Sequence, residues 1–130
     1  MHELSIAKSL LSLTREHVPA GSVVRAVRVR VGPLQAIDPS AMQLAWRAAT
    51  DDTSYRGAAL SLNFVPWELS CRGCGNRWFT QSWPARCRCG GHESDPIDAD
   101  ELTLESIDVM GERLRVPARP TALQPVAEGD

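Results

Sequence analysis

The arrangement of apolar residues predicts an α+β fold: a small three-stranded sheet with two helices, carrying an inserted lobe held together by metal. Two segments repeat apolar residues at helical spacing, and three others alternate apolar with polar residues. All four cysteines of the 130-residue chain lie between the second and third alternating segments, from Cys71 to Cys89. A period near 3.6 marks a helix face and a period of 2 marks a strand face. Elements of both kinds at this chain length pack as two layers around one core, and the length suits one domain with a small metal-stapled lobe.

From Leu4 to Val18, the residues Ile6, Ala7, Leu10, Leu11, Leu13 and Val18 recur at helical spacing, with Lys8, Ser12, Arg15 and Glu16 elsewhere. Pro19 and Gly21 close this helix, and His17 in its last turn suits the dipole there as a structural residue. Val27, Val29 and Val31 then alternate with Arg28 and Arg30, a half-exposed strand with its arginines toward water, ended by Gly32 and Pro33. Asp38 followed by Pro39 is a helix start, because the carboxylate accepts from orphan amides and proline suits the first helical position. The second helix runs to Thr50 and buries Met42, Ala45, Trp46 and Ala49, with Asp51 and Asp52 as its closing turn. In the second strand Leu60, Leu62 and Phe64 alternate with Ser61 and Asn63 until Pro66 interrupts the ladder. The third strand, Glu101 to Val109, holds Leu102 and Leu104 in phase and Ile107 and Val109 out of it, which predicts a bulge near Glu105 and Ser106. Residues 1–66 with 97–116 are therefore expected to form a discontinuous α+β domain, and residues 67–96 the inserted lobe. Residues 117–130, rich in Pro and Ala without periodicity, read as a disordered tail.

The lobe takes its chemistry from CRGC, with Cys71 and Cys74, and CRCGG, with Cys87 and Cys89, twelve residues apart. Paired thiolates on two short turns close a tetrahedral structural Zn(II) site, the pattern of a zinc ribbon. A disulfide reading needs an oxidising compartment, and Met1 to Leu13 lacks the basic start and unbroken apolar run of a secretion signal. Only Arg88 separates the second pair, a spacing short for the usual knuckle in which amides beyond the first cysteine point at its sulfur. Either a tighter chelate forms with four cysteine ligands, which is the first choice, or His92 replaces one sulfur. Otherwise His92, beside Glu93, is a solvated loop histidine. Trp78 and Phe79 are expected to fill the small core around the metal, and Trp83, next to Pro84, to be an anchor for a partner. Four thiolates leave zinc no open coordination position, and no serine, cysteine and histidine arrangement appears elsewhere, so no catalytic residues are expected.

Met1, His2 and Glu3 carry a second metal signature. The terminal amine of Met1, the ring of His2 and the backbone amide nitrogens of His2 and Glu3 can form fused chelate rings around one divalent ion. A planar set of nitrogen donors suits Ni(II) or Cu(II) better than Zn(II), Mg(II) or Ca(II). Every donor must be neutral or shed a proton, so affinity should fall as pH drops through the histidine and amine range. The competing reading is an incidental histidine on a frayed chain end.

These two signatures, in this order, resemble the HypA/HybF family of hydrogenase nickel-incorporation proteins. The resemblance is carried by MHELSIAKSLL, by VRVRVGPLQAIDPSAMQLAWRAAT, by CRGCGNRWF and by ELTLESIDVM, and runs from Met1 to Met110. The family's second cysteine pair is usually CxxC, and here it is CxC. The resemblance implies Ni(II) as transferred cargo, held by Met1, His2 and Glu3, and structural Zn(II) on Cys71, Cys74, Cys87 and Cys89. It further implies a HypB-like GTPase as partner and the large subunit of NiFe hydrogenase as recipient.

The main rival is a zinc-ribbon module for nucleic acid, since Arg72, Arg77, Arg86 and Arg88 cluster among aromatics. Against it stand a net charge of −2 and the run of Asp95, Asp98, Asp100 and Glu101. The same charge gives no case for anionic membranes, and no run approaches the roughly eighteen to twenty apolar residues that span a bilayer. The cytoplasm is therefore expected. A homodimer is left open.

Overall fold

In a computed structural model of the chain, which describes residues 2–116, the elements run in the order α1 (His2–His17), β1 (Val24–Val31), α2 (Pro39–Thr50), β2 (Ala59–Phe64), β3 (Trp67–Cys71), β4 (Arg77–Thr80), β5 (Ser94–Pro96), β6 (Leu102–Val109) and β7 (Glu112–Arg115). Met1 and the expected tail, residues 117–130, lie outside the described residues. The strands form a four-stranded sheet, β2-β1-β6-β7, and a three-stranded antiparallel sheet, β4-β3-β5. The α+β class and the cysteine-bearing insertion follow the sequence reading. The larger sheet has one strand more than expected.

The chain divides into two compact units. One comprises residues up to Arg30, Ile37–Asn63 and those from Leu102 onward; the other comprises Val31–Ala36 and Phe64–Glu101. In the first unit α1 packs on α2 and on β6. Ile6, Leu10, Val27, Val29, Met42, Leu104 and Ile107 are fully buried there, each contributing roughly 1.5–3 kcal/mol of transfer free energy. The α1 face is the predicted one, and its buried Thr14 hydroxyl donates to the Leu10 carbonyl at 2.8 Å, which removes the penalty of an unpaired polar group. The helix begins at His2 rather than Leu4. An acidic residue is favourable in a first turn, and Glu3 occupies it.

Asp38 caps α2 with extended backbone, and its Oδ1 accepts from the Ser40 amide at 2.9 Å. Trp46 is buried on α2 and donates its indole N–H to Ala58 O at 2.8 Å. Arg28 does not simply face water as expected: its Nη1 pairs with Asp108 of β6 at 2.8 Å, and Asp108 also accepts from Arg113 of β7 at 2.9 Å. The unread strand β7 follows a two-residue turn, Met110 and Gly111, with Val109 opposite Glu112. Gly111 supplies a positive φ of 91° at the second turn position, a conformation that glycine adopts without steric cost. Burial along β6 does switch from Leu102, Leu104 and Ser106 to Ile107 and Val109, yet the strand is continuous and its register with β7 is regular from Ser106 to Val109.

In the second unit Gly32 N–H donates to Glu101 O at 2.7 Å, Leu34 N–H to Ala99 O at 2.8 Å, and Val65 N–H to Val31 O at 3.0 Å. The approach at Gly32 is so close that a Cβ there would lie 2.9 Å from the Glu101 amide and 2.8 Å from the Ala99 carbonyl carbon. Among the described residues no helix is long and apolar enough to cross a membrane.

Candidate metal centres

Cys71 ends β3, and Cys74, Cys87 and Cys89 come from the turns that follow β3 and precede β5. Their four sulfurs lie within 4.8 Å of one another. Cys71 Sγ is 3.7 Å from Cys89 Sγ, and Cys74 Sγ is 3.6 Å from Cys87 Sγ. A disulfide would bring sulfurs to about 2.05 Å, so these are free thiols. Four sulfurs at about 2.3 Å from a tetrahedral ion are separated by about 3.8 Å, and the observed spacings fit that donor set. His92 is exposed and is not part of the cluster.

The short CxC spacing forms a tighter knuckle, the first of the two alternatives that the spacing left open. In the first turn the Cys71 amide donates to Asn76 O at 2.8 Å and the Gly75 amide to Cys71 O at 2.9 Å. In the second, the Cys87 amide donates to Gly91 O at 3.2 Å and the Gly90 amide to Cys87 O at 2.9 Å. The second turn is the first with one residue removed. Each has a glycine in the left-handed region, Gly75 at φ 79° and Gly90 at φ 93°, where a side chain would be strained. The Gly73 amide points at Cys71 Sγ (3.3 Å), the Cys89 amide at Cys87 Sγ (3.5 Å) and the Gly91 amide at Cys89 Sγ (3.4 Å). Gly91 is needed for a separate reason: a Cβ there would lie 3.1 Å from Cys71 Sγ and 3.3 Å from Cys89 Sγ. Asn76 Nδ2 reaches across to Cys87 Sγ at 3.7 Å. Neither Asn76 nor Gly91 was singled out from the sequence, although the glycine pair after Cys89 was the available signal.

These donors set the charge of the cluster. The amides of Cys74 and then Gly73 draw the Cys71 thiol below its ordinary range despite burial. The Cys89 amide, helped by neighbouring thiols and by Asn76, pulls Cys87 down to about 6. Cys89 is pushed up to about 12 even though the Gly91 amide favours its thiolate, because Cys74, Cys87 and Cys71 crowd the same space. Crowding of the sulfurs thus disfavours the thiolate form of Cys89 where no cation is present. A divalent ion removes that obstacle.

At the other candidate centre, His2 is exposed as the first residue of α1 and Glu3 is half-buried. The first amides of a helix have no acceptor within it, so the amides of His2 and Glu3 are free of the helical ladder. Glu3 Oε2 accepts from the backbone amide of Asp38 at 3.3 Å. The fold thus brings Asp38, read from the sequence only as a helix cap, to the N-terminal turn of α1.

The ribbon's aromatics and arginines divide differently from the sequence reading. Trp78 is half-buried, but Phe79 is 66% exposed and does not fill a core around the cluster. Neighbouring strand residues point to opposite faces, and only one face of β4 is covered. Trp83 is exposed, with its ring centroid 5.5 Å from that of Trp67. Arg72 is taken up by Asp95 at 2.8 Å, and Arg77 by Glu68 at 2.9 Å. Half of the arginine cluster that favoured nucleic acid is therefore already paired.

Fold and cysteine geometry define an α+β protein with a four-thiol cluster that could hold a metal ion. The chain belongs to the HypA family, described as hydrogenase/urease nickel incorporation metallochaperones, whose model matches residues 1–109. It is 32% identical to the hydrogenase maturation factor HypA of Nostoc sp. over 109 residues, covering 84% of this chain and 96% of that one. Against the factor of the same name from Desulfosudis oleivorans it is 32% identical over 113 residues, covering 84% and 98%. Its fold is similar to the solution structure of the Ni metallochaperone HypA from Helicobacter pylori, with a TM-score of 0.59 at 24% identity, covering 86% of this chain and all of that one.

Proposed function

We propose that this protein binds Ni(II) at its N-terminus and delivers it, with a HypB-like GTPase, to the large subunit of NiFe hydrogenase. The Met1 amine, the His2 ring and the amides of His2 and Glu3 hold the ion as cargo. The observation that carries this reading is the placement of an exposed His2 on the first turn of α1, where amides lack helical acceptors, in a family whose role is nickel incorporation. An open chelate at a chain end can be stripped by a partner more readily than an enclosed one. The contact of Glu3 with the Asp38 amide holds this turn against α2. In the ribbon, Cys71, Cys74, Cys87 and Cys89 would hold Zn(II), which supplies a closed structural cross-link and no reactive position. We place the activity in the cytoplasm.

Calorimetric titration of the zinc-loaded protein with Ni(II) tests the cargo site. Wild type should show a tight event that disappears in His2→Ala and in a form extended at the N-terminus, while zinc content stays constant. Equal nickel binding in all three forms would move the site elsewhere.

A further inference from the structure

A concavity of about 370 Å³ on the ribbon unit is lined by Asn76, Arg77, Trp78, Arg86 and Arg88. We infer that this cleft is a docking site for an acidic peptide segment of a partner protein, whose carboxylates are clamped by Arg86 and Arg88. Both guanidinium-bearing residues are exposed, and among the described residues neither has a hydrogen bond or ion pair. Arg72 is occupied by Asp95 and Glu93, and Arg77 by Glu68. Arg86 and Arg88 flank Cys87 in sequence, so the knuckle that closes the cysteine cluster also fixes their backbone. That is preorganisation, which lowers the ordering cost of binding. Planar guanidinium groups match carboxylate geometry in a two-pronged fashion.

Charge and shape favour a peptide over a nucleic acid. Useful affinity for a polyanion comes from neutralising many phosphates, and this cleft offers two free guanidiniums and one already shared with Glu68, within a chain of net charge −2. Stacking of bases needs exposed aromatic faces. Trp78, the one aromatic among the described residues that line the cleft, is half-buried, and the exposed Phe79 is its neighbour on β4 and so points to the other face. A short acidic segment needs neither a long basic track nor a stacking platform.

The test uses full-length, zinc-loaded protein and a fluorescein-labelled octapeptide of alternating Glu and Gly. The peptide should bind with an affinity that falls as salt rises, and it should shift the indole N–H resonance of Trp78 in the wild-type protein. The double variant Arg86→Gln/Arg88→Gln should lose about tenfold or more in affinity, in line with the loss of a clamped carboxylate, and Arg72→Gln should bind as wild type does. His2→Ala should also bind the peptide normally, which separates this surface from the nickel site. Failure of the peptide to move the Trp78 resonance would overturn the inference whatever the variants do. So would an equal loss in Arg72→Gln, or tighter binding of a single-stranded oligonucleotide than of the peptide at the same salt.

Discussion

Gly91 shows how one missing methyl group can decide a metal site. Gly91→Ala would place a Cβ 3.1 Å from Cys71 Sγ and 3.3 Å from Cys89 Sγ. The sulfur cannot retreat without leaving the tetrahedron, so zinc affinity should fall by about tenfold or more, comparable to losses from other outer-shell changes. Competition with a chromogenic zinc chelator measures it, and unchanged retention would show that the knuckle has slack. Asp108 supports a second prediction. Its hydrogen bond to Arg28, with help from Arg113, holds its carboxyl below the usual carboxylate range. A lowered folded pKa means that this contribution is complete above the unfolded value, about 4, and is lost as pH falls through the lower folded one. Asp108→Asn should therefore flatten the acid side of a stability-against-pH curve and leave its neutral-to-basic shape unchanged.

At the scale of elements, α2 owes its start to Asp38, which both caps its own helix through Ser40 and offers its amide to Glu3 of α1. Asp38→Ala removes the cap and should cost about 1 kcal/mol, the usual value of such a residue, read as a lower urea midpoint at constant slope. The companion case is Gly32, where the chain between β1 and α2 passes against Ala99 and Glu101. Backbone on the far side cannot give way, so Gly32→Ala should be far more damaging than the loss of the cap, and should show reduced soluble yield.

For the molecule as a whole, two units with different sources of stability share one chain. The first has an apolar core of helices and sheet, with Ile6, Leu10, Met42 and Ile107 fully buried. Leu69, Cys71, Cys87 and Ala99 supply buried apolar residues to the second, and small lobes with so little core depend on staples. Removing zinc with a chelator should collapse amide signals from the span Phe64–Glu101 while the indole resonance of Trp46 keeps its native position. Loss of both together would show that the first unit depends on the ribbon's metal.

Both helices, the strands centred on Val29, Leu62 and Leu104, and the cysteine pairs could be read from one-dimensional spacing, because each depends on the periodicity of neighbours a few residues apart. The sequence reading missed β7, whose stretch Glu112–Arg115 contains a single large apolar residue, Leu114. What makes it a strand is pairing with β6 across the Met110–Gly111 turn. Phe79 was misplaced because hydrophobicity does not say which face of a three-stranded sheet will be covered. The approach of Asp38 to Glu3, across 35 residues of chain, had no local signature at all, and the packing of Gly91 on sulfur left only the glycine pair after Cys89 as a sign. By itself the sequence determined the two helices, three strands of the larger sheet, the two cysteine pairs and the family, through period, spacing and motif. Only the tertiary structure decided which sulfurs meet, which arginines stay unpaired and what sits beside the first turn of α1, because those depend on distances between residues far apart along the chain.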